Sequence, residues 1–284
     1  MVRRWSIPIL TVALAFGSML ALAGTASAGT THHPSTTLVR PGGAEHAFKP
    51  GGLMSRPTGA LRSEGRTTRY EAESTNWSGY AVTGSNGAFT SVSASWTQPT
   101  ATCTSSGGGR HGRSSDSYAA FWVGLDGYSS DSVEQTGSDS DCDGTTPDYY
   151  GWYEMYPANP VYYTNTVKPG DAMSASVVFS GTDTYTLTLK DSTQGWTETK
   201  SINESGFDRS SAEVITEAPS SSSGVLPLSD FGTVNYTAAS ANGSSMGTQS
   251  PTEIIMVNNS GEDKDSTSSM SSSGAFSNTW LRSS

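Results

Sequence analysis

The sequence is poor in positive charge. Only 16 of its 284 residues are Lys or Arg, against 26 Asp or Glu, for a formal net charge of −10. A chain this short of cations lacks the surface that phosphate-backbone contact needs, which excludes nucleic acid as a partner. Histidine and cysteine are scarcer still, at 4 and 2 residues. Those counts leave too few ligands for a usual zinc site and too few groups for a thiol enzyme. No metal and no cofactor is expected. Past the first residues there is no long apolar run, and no segment of ten or more residues carries a helical stripe. That argues against a membrane span and against a helical fold.

The charge that is present is unevenly placed. Residues 1–28 read as a secretory signal: Arg3 and Arg4 lead, an apolar stretch runs from Ile7 to Leu22, and Ala26-Ser27-Ala28 offers a small-residue cleavage site. The rival reading is a membrane anchor, but Pro8, Thr11, Gly17 and Ser18 interrupt the stretch. Residues 29–69 hold Arg40, Lys49, Arg56, Arg62, Arg66 and Arg69 against Glu45 and Glu64, so 6 − 2 = +4. From residue 70 onward the balance is 8 − 24 = −16. A basic leader ahead of an acidic body reads as a pro-segment, ending near Arg69 and held partly by charge. A disordered linker is the plainer alternative. The body, 70–284, has few basic groups to repel one another once its carboxylates are protonated, which suits a protein that works in acid.

Within the body, short alternating segments recur between Gly, Ser, Asn and Pro. Thr184–Lys190 sets Tyr185, Leu187 and Leu189 on one face, and Asp171–Phe179 does the same with Met173, Ala175, Val177 and Phe179. Phe89–Trp96 aligns Val92, Ala94 and Trp96. Tyr118–Leu125, Ser132–Thr136, Trp152–Tyr156, Ala212–Glu217, Thr233–Thr237, Thr252–Val257 and Ala275–Leu281 are further candidates. Period two with β-branched and aromatic residues predicts strands, and many short strands predict an all-β sandwich or barrel. Thr104–Ser117, rich in Gly and Ser, and Ser138–Tyr149, rich in Asp, read as loops. Cys103 and Cys142 are expected to pair in an oxidising compartment, closing a loop worth on the order of 4 kcal/mol.

Several chemistries can be weighed on these residues. Gly243-Ser244-Ser245-Met246-Gly247 matches the serine-hydrolase elbow, but no histidine follows residue 111. Asp139-x-Asp141-x-Asp143-Gly144 opens like a calcium loop, yet its twelfth position is Tyr150 and Cys142 lies in its middle. Calcium at 138–149 stays open. What remains is acid–base chemistry on Asp or Glu. A glycosidase needs two carboxyls roughly 5–10 Å apart. Glu213 and Glu217 share a strand face with backbones about 13 Å apart, which makes a glycosidase the runner-up. A Trp-rich carbohydrate-binding sandwich is the reading without catalysis.

Four segments, in order, carry a resemblance: Phe121-Trp-Val-Gly-Leu-Asp-Gly127, Val133-Glu-Gln-Thr-Gly137, Gly151-Trp-Tyr-Glu-Met-Tyr-Pro157 and Ala212-Glu-Val-Ile-Thr-Glu217. Together with Asn76-Trp-Ser-Gly-Tyr80, the chain resembles the glutamic peptidases, the eqolisin family, over roughly residues 70–281. The resemblance implies two antiparallel sheets packed as a curved β-sandwich, of the jelly-roll or concanavalin-like kind, with the cleft on the concave face. It implies a secreted, acid-active endopeptidase acting on protein or peptide substrates. Gln135 and Glu217, not Glu213, are implied as the catalytic pair. Trp122, Asp126, Asp139, Glu154 and Tyr156 match positions around that pair, and the basic leader would be the enzyme's own inhibitor. A monomer is expected. Two departures stand out: Glu134 replaces an apolar residue beside the catalytic Gln, and Ala218 replaces an acidic residue after the catalytic Glu.

Overall fold

The computed structural model describes residues 48–49, 52–56, 71–104 and 116–284. The expected signal at 1–28, most of the expected pro-segment, and residues 105–115 of the Gly/Ser-rich stretch lie outside the described residues. Among those described, the regular structure is β, apart from one 3-10 turn at Met246–Thr248. Two large sheets pack face to face.

The first sheet runs, neighbour to neighbour, Glu71–Ser74, Thr252–Met256, Trp77–Thr83, Ser211–Glu217, Ala120–Leu125, Val133–Asp143, Thr146–Tyr156 and Val161–Tyr162. The second runs Trp196–Asn203, Thr184–Asp191, Ala172–Phe179, Ser91–Thr97, Thr233–Ala241, Phe276–Trp280 and Asp265–Thr267. Pairing is antiparallel except where Glu71–Ser74 runs parallel to Thr252–Met256. Phe48–Lys49 joins a small third sheet with Ser220–Ser221 and Gly224–Val225.

The strands alternate because one side faces the partner sheet. Phe121, Val123, Leu125 and Val214 from the first sheet meet Val92, Trp96, Met173, Leu187 and Tyr236 from the second in one buried core. Burying each such side chain stabilises by about 1.5–3 kcal/mol. Polar ties cross the same interface: the Trp96 indole N–H donates to Ser138 Oγ at 3.2 Å, and the Tyr236 hydroxyl donates to the Ile215 carbonyl at 2.8 Å. The opposite face of the first sheet carries a second apolar cluster, built on Trp77, Trp122, Trp152, Tyr150 and Ile215. Strands buried on both faces read as continuous apolar runs rather than alternation, which is why Trp77–Thr83 escaped the sequence reading.

One expectation is overturned. Ser138–Tyr149 is not a loop: the strands Val133–Asp143 and Thr146–Tyr156 run straight through it and pair along their full length. Asp139, Asp141 and Asp143 share a face because strand side chains alternate with period two. The first two are fully buried and hydrogen-bonded. The Trp152 indole N–H donates to Asp139 Oδ1, and the Tyr150 hydroxyl donates to Asp141 Oδ2, both at 2.5 Å. The acidic residues are sheet-face acceptors for aromatic donors on the neighbouring strand. Cys103 and Cys142 form the disulfide, with Cα atoms 5.5 Å apart, tying the preceding loop to the end of this hairpin.

Candidate active site

The register of the first sheet sorts the candidate residues into rows. Glu213, Gly124, Gln135 and Glu154 lie side by side on adjacent strands. The next row is Ile215, Trp122, Gly137 and Trp152. The third is Trp77, Glu217, Ala120, Asp139 and Tyr150. Gln135 and Glu217 therefore share a face but stand two strands and two rows apart, with the Trp122 row between them.

Two glycines make this packing possible. Gly137 faces Trp122, and a Cβ there would lie 2.2 Å from the Phe121 carbonyl oxygen and 2.6 Å from Trp122 Cβ. A Cβ on Gly124 would lie 2.9 Å from the Trp122 ring and 3.2 Å from Gln135 Cβ. The glycines of the two motifs are thus sockets for the indole between the candidate pair. Gly137→Ala should cost at least about 2–3 kcal/mol, since the clash is with rigid backbone. Urea unfolding of the variant checks it.

Glu217 is fully buried and accepts three N–H groups. Gly52 N donates to Oε1 at 3.1 Å, Asn76 Nδ2 to Oε1 at 3.3 Å, and Trp122 Nε1 to Oε2 at 2.9 Å. Burial nonetheless dominates: it pushes the Glu217 carboxyl up to about 8, against the opposing pull of the Gly52, Trp122 and Asn76 donors. In this state Glu217 is neutral at acid pH. Gln135 donates from Nε2 to Glu154 Oε2 at 2.8 Å, which fixes the plane of its carboxamide. Trp77 packs edge-on to Trp122 with centroids 4.8 Å apart.

Part of the cover over Glu217 comes from residues ahead of the sandwich. Residues 52–56 lie along this face: Trp77 Nε1 donates to the Gly52 carbonyl at 3.1 Å, Ser55 N to Asn76 Oδ1 at 2.8 Å, and Met54 N to the Gly127 carbonyl at 3.2 Å. Leu53 and Met54 pack on the Trp77, Trp122 and Ile215 cluster.

Of the residues singled out in the sequence, the structure brings Trp122 onto Glu217, Glu154 onto Gln135, and Asp139 into Glu217's row. Asp126 stands apart, at the end of its strand. Its carboxylate accepts the backbone N–H of Arg209 at 2.6 Å and of Ser210 at 2.8 Å. Tyr156 is half-buried at the edge of the aromatic cluster, opposite Val133. Asn76 was missed as a site residue; its contact spans 141 positions, and only its place in the Asn76–Tyr80 motif hinted at a role. Among the described residues no three His, Cys, Asp or Glu side chains are grouped to hold a metal ion.

One face of the first sheet thus carries Glu217, Glu154 and Gln135 around the Trp122 indole. The sequence model of the Peptidase A4 family matches residues 75–280, and the chain belongs to that family. Aspergillopepsin-2 of Aspergillus niger is 30% identical over 165 residues, covering 53% of this chain and 58% of that protein. Scytalidopepsin B of Scytalidium lignicola is 34% identical over 131 residues, 44% of this chain and 45% of that protein. The chain thus spans about half the length of these relatives. A crystal structure of scytalido-glutamic peptidase with a transition-state analog inhibitor superposes with a TM-score of 0.60 at 28% identity, over 73% of this chain and 98% of that one. Aspergilloglutamic peptidase from Aspergillus niger gives 0.53 at 26%, over 58% and 99%.

Proposed function

We propose that this chain is an exported, acid-active endopeptidase in which Glu217 is the general base and acid and Gln135 the oxyanion donor. The observation that carries the reading is the segment at Glu217: a stretch of main chain lies along the cleft with a peptide N–H aimed at the buried carboxyl. A substrate laid on the same path presents its scissile amide there. Once the segment leaves, water reaches Glu217 and relieves the desolvation that keeps it neutral. The Asn76 and Trp122 donors that remain then favour the ionised form in acid, where a histidine base would already be charged.

The ionised Glu217 takes a proton from water as its oxygen attacks the carbonyl carbon. The Gln135 carboxamide N–H, which does not titrate, stabilises the oxyanion. Protonated Glu217 then returns the proton to the amide nitrogen and the C–N bond breaks. Export rests on the signal-like residues 1–28 and the Cys103–Cys142 bridge. No helix among the described residues is long and apolar enough to cross a membrane.

In the same reading, residues 29–69 are an inhibitory pro-segment. Phe48–Lys49 adds a strand to Ser220–Ser221, and Gly52–Arg56 occupies the face over Glu217. Acid weakens the attraction between the +4 leader and the −16 body. The full-length chain should show a lag at pH about 4, ending as the leader is cut away. Gly52→Pro, which lacks the N–H that reaches Glu217, should shorten that lag several-fold. Equal activity before and after trimming would contradict inhibition. Activity on denatured protein, followed by mass spectrometry of the products, tests the peptidase reading itself; sugar release without proteolysis would return the chain to the glycosidase.

A further inference from the structure

Where the segment leaves Glu217, it runs past a cavity of about 580 Å³. The cavity walls are Ser223–Pro227 and Val257–Ser260, and Ser55, Arg56 and Thr75 line the side toward the segment. Lys264 lines it too, although only 4% exposed. The Lys264 backbone is held on both sides: its N–H donates to Met256 at 2.7 Å, and its carbonyl accepts from Leu281 and Arg282 at 3.0 Å each. Its ammonium makes no ion pair within 4 Å to a described residue, and the carboxyl whose charge acts on it is that of Asp265. Among the described residues the ion pairs are Lys200 with Glu198 and Arg282 with Glu262; no Asp or Glu side chain lines the cavity, and Ser284 completes its wall without an ion pair to Lys264. Asp265 follows in the chain, but its carboxyl takes the Ser78 hydroxyl and burial pushes it up to about 7, so in acid it is neutral. Burial also draws Lys264 down to about 8, which leaves it charged at any acid pH. A largely buried lysine that faces an open cavity and makes no ion pair offers its charge to an anionic ligand.

The geometry points to a substrate subsite: we propose that Lys264 binds a carboxylate of the peptide being cut, three to four residues beyond the scissile bond on its C-terminal side. This rests on the peptidase reading above. The distance follows from the segment, in which Gly52 sits at Glu217 and Ser55 and Arg56 line the cavity. Three to four extended residues span about 10–13 Å. The chain direction of the segment sets the C-terminal side. The segment itself does not satisfy Lys264, because it brings a cation, and the Arg56 guanidinium instead lies 5.2 Å over the Tyr128 ring. The anion is either an Asp or Glu side chain or the peptide's own C-terminal carboxylate.

The test uses the full-length chain after acid maturation and internally quenched peptides that differ at those two positions: Ala, Asp, Lys or cysteic acid. Each is made with a free and an amidated C-terminus. The sulfonate stays ionised at pH about 4, where Asp is half protonated. The expected result is roughly tenfold higher kcat/KM for the sulfonate than for Ala, expressed in KM. Lys264→Met should lose that preference while cleaving the Ala peptide within about twofold of wild type. A preference only for the free C-terminus, lost in Lys264→Met, assigns the anion to the chain end and upholds the proposal. Equal rates on all peptides, or a preference that survives in Lys264→Met, overturns it. If Lys264→Met does not fold, Asn259→Asp places a competing carboxylate on the cavity wall, and an unchanged sulfonate preference there also overturns it. A wild type that cuts none of the peptides, Ala included, defeats the peptidase reading and the subsite with it.

Discussion

Glu217→Gln should lower kcat on denatured protein in acid by about 10⁴-fold, because in the proposed mechanism one group performs both proton transfers. The variant keeps the shape of the side chain, so the bonds from Gly52 and Asn76 to its Oε1 can persist, and its melting temperature should be close to that of wild type. Gln135→Ala removes the proposed oxyanion donor and should cost about 10²–10³-fold, or roughly 3–4 kcal/mol of transition-state stabilisation. The two losses should not add, since both act on one tetrahedral intermediate. Activity that survives in Glu217→Gln but disappears in Glu213→Gln would move the acid–base role four residues along the strand, into Gln135's own row. Activity that survives in both Glu217→Gln and Gln135→Ala would place catalysis elsewhere. A chelator should change nothing if the mechanism is the one proposed.

That Glu213 needs a control at all reflects what the sequence could and could not resolve. Period two places Glu213, Ile215 and Glu217 on one face, and that is how they stand in the sheet. Which of them faces which neighbour depends on register with Ala120–Leu125, and no local pattern encodes it. The Thr184–Asp191 strand was legible because one of its faces meets solvent and the other the core, so its alternation is clean. Val133–Asp143 was half legible. Its first residues read as a strand, but Asp and Gly beyond Gly137 carry the composition of a loop. The odd-numbered Asp residues did alternate, yet burying them is sensible only with Trp152 and Tyr150 as donors on the next strand. Asn76 and the Gly52 segment were out of reach for the same reason: their partner lies more than 140 residues away. The glycines of the motifs were legible as identities, and the structure supplies the cause, an indole that leaves no room for a Cβ.

Stability should fall as pH rises from about 4 toward 7, the reverse of the usual behaviour of paired carboxylates. The responsible groups are buried acids whose carboxyls are pushed up: Glu134 from 4.5 to about 9, Asp265 from 3.8 to about 7, and Glu213 in the same direction. Glu217 joins them, at about 8, while the segment covers it. Glu134 is fully buried between the sheets, and only the Ser132 side chain and the Arg209 charge oppose the effect of that burial. Burial first, and then the nearby Asp126 charge, hold it neutral. For a raised acid the folded state binds the extra proton, so the stabilisation is complete below the unfolded value near 4 and drains away up to the folded value. Each group contributes about 1.4 kcal/mol per pH unit inside that window. Glu134 and Asp265 over two units amount to about 5–6 kcal/mol, a large share of the whole stability of a typical domain. The melting temperature should therefore drop by about 15 °C between pH 4 and pH 7. Self-repulsion of the −16 body pushes the same way. Glu134→Leu isolates one term. The variant should gain about 3 kcal/mol more at pH 7 than at pH 4. Urea unfolding at the two pH values measures the difference. An equal gain at both would mean that Glu134 does not titrate on unfolding in this range, and that the pH dependence has another source.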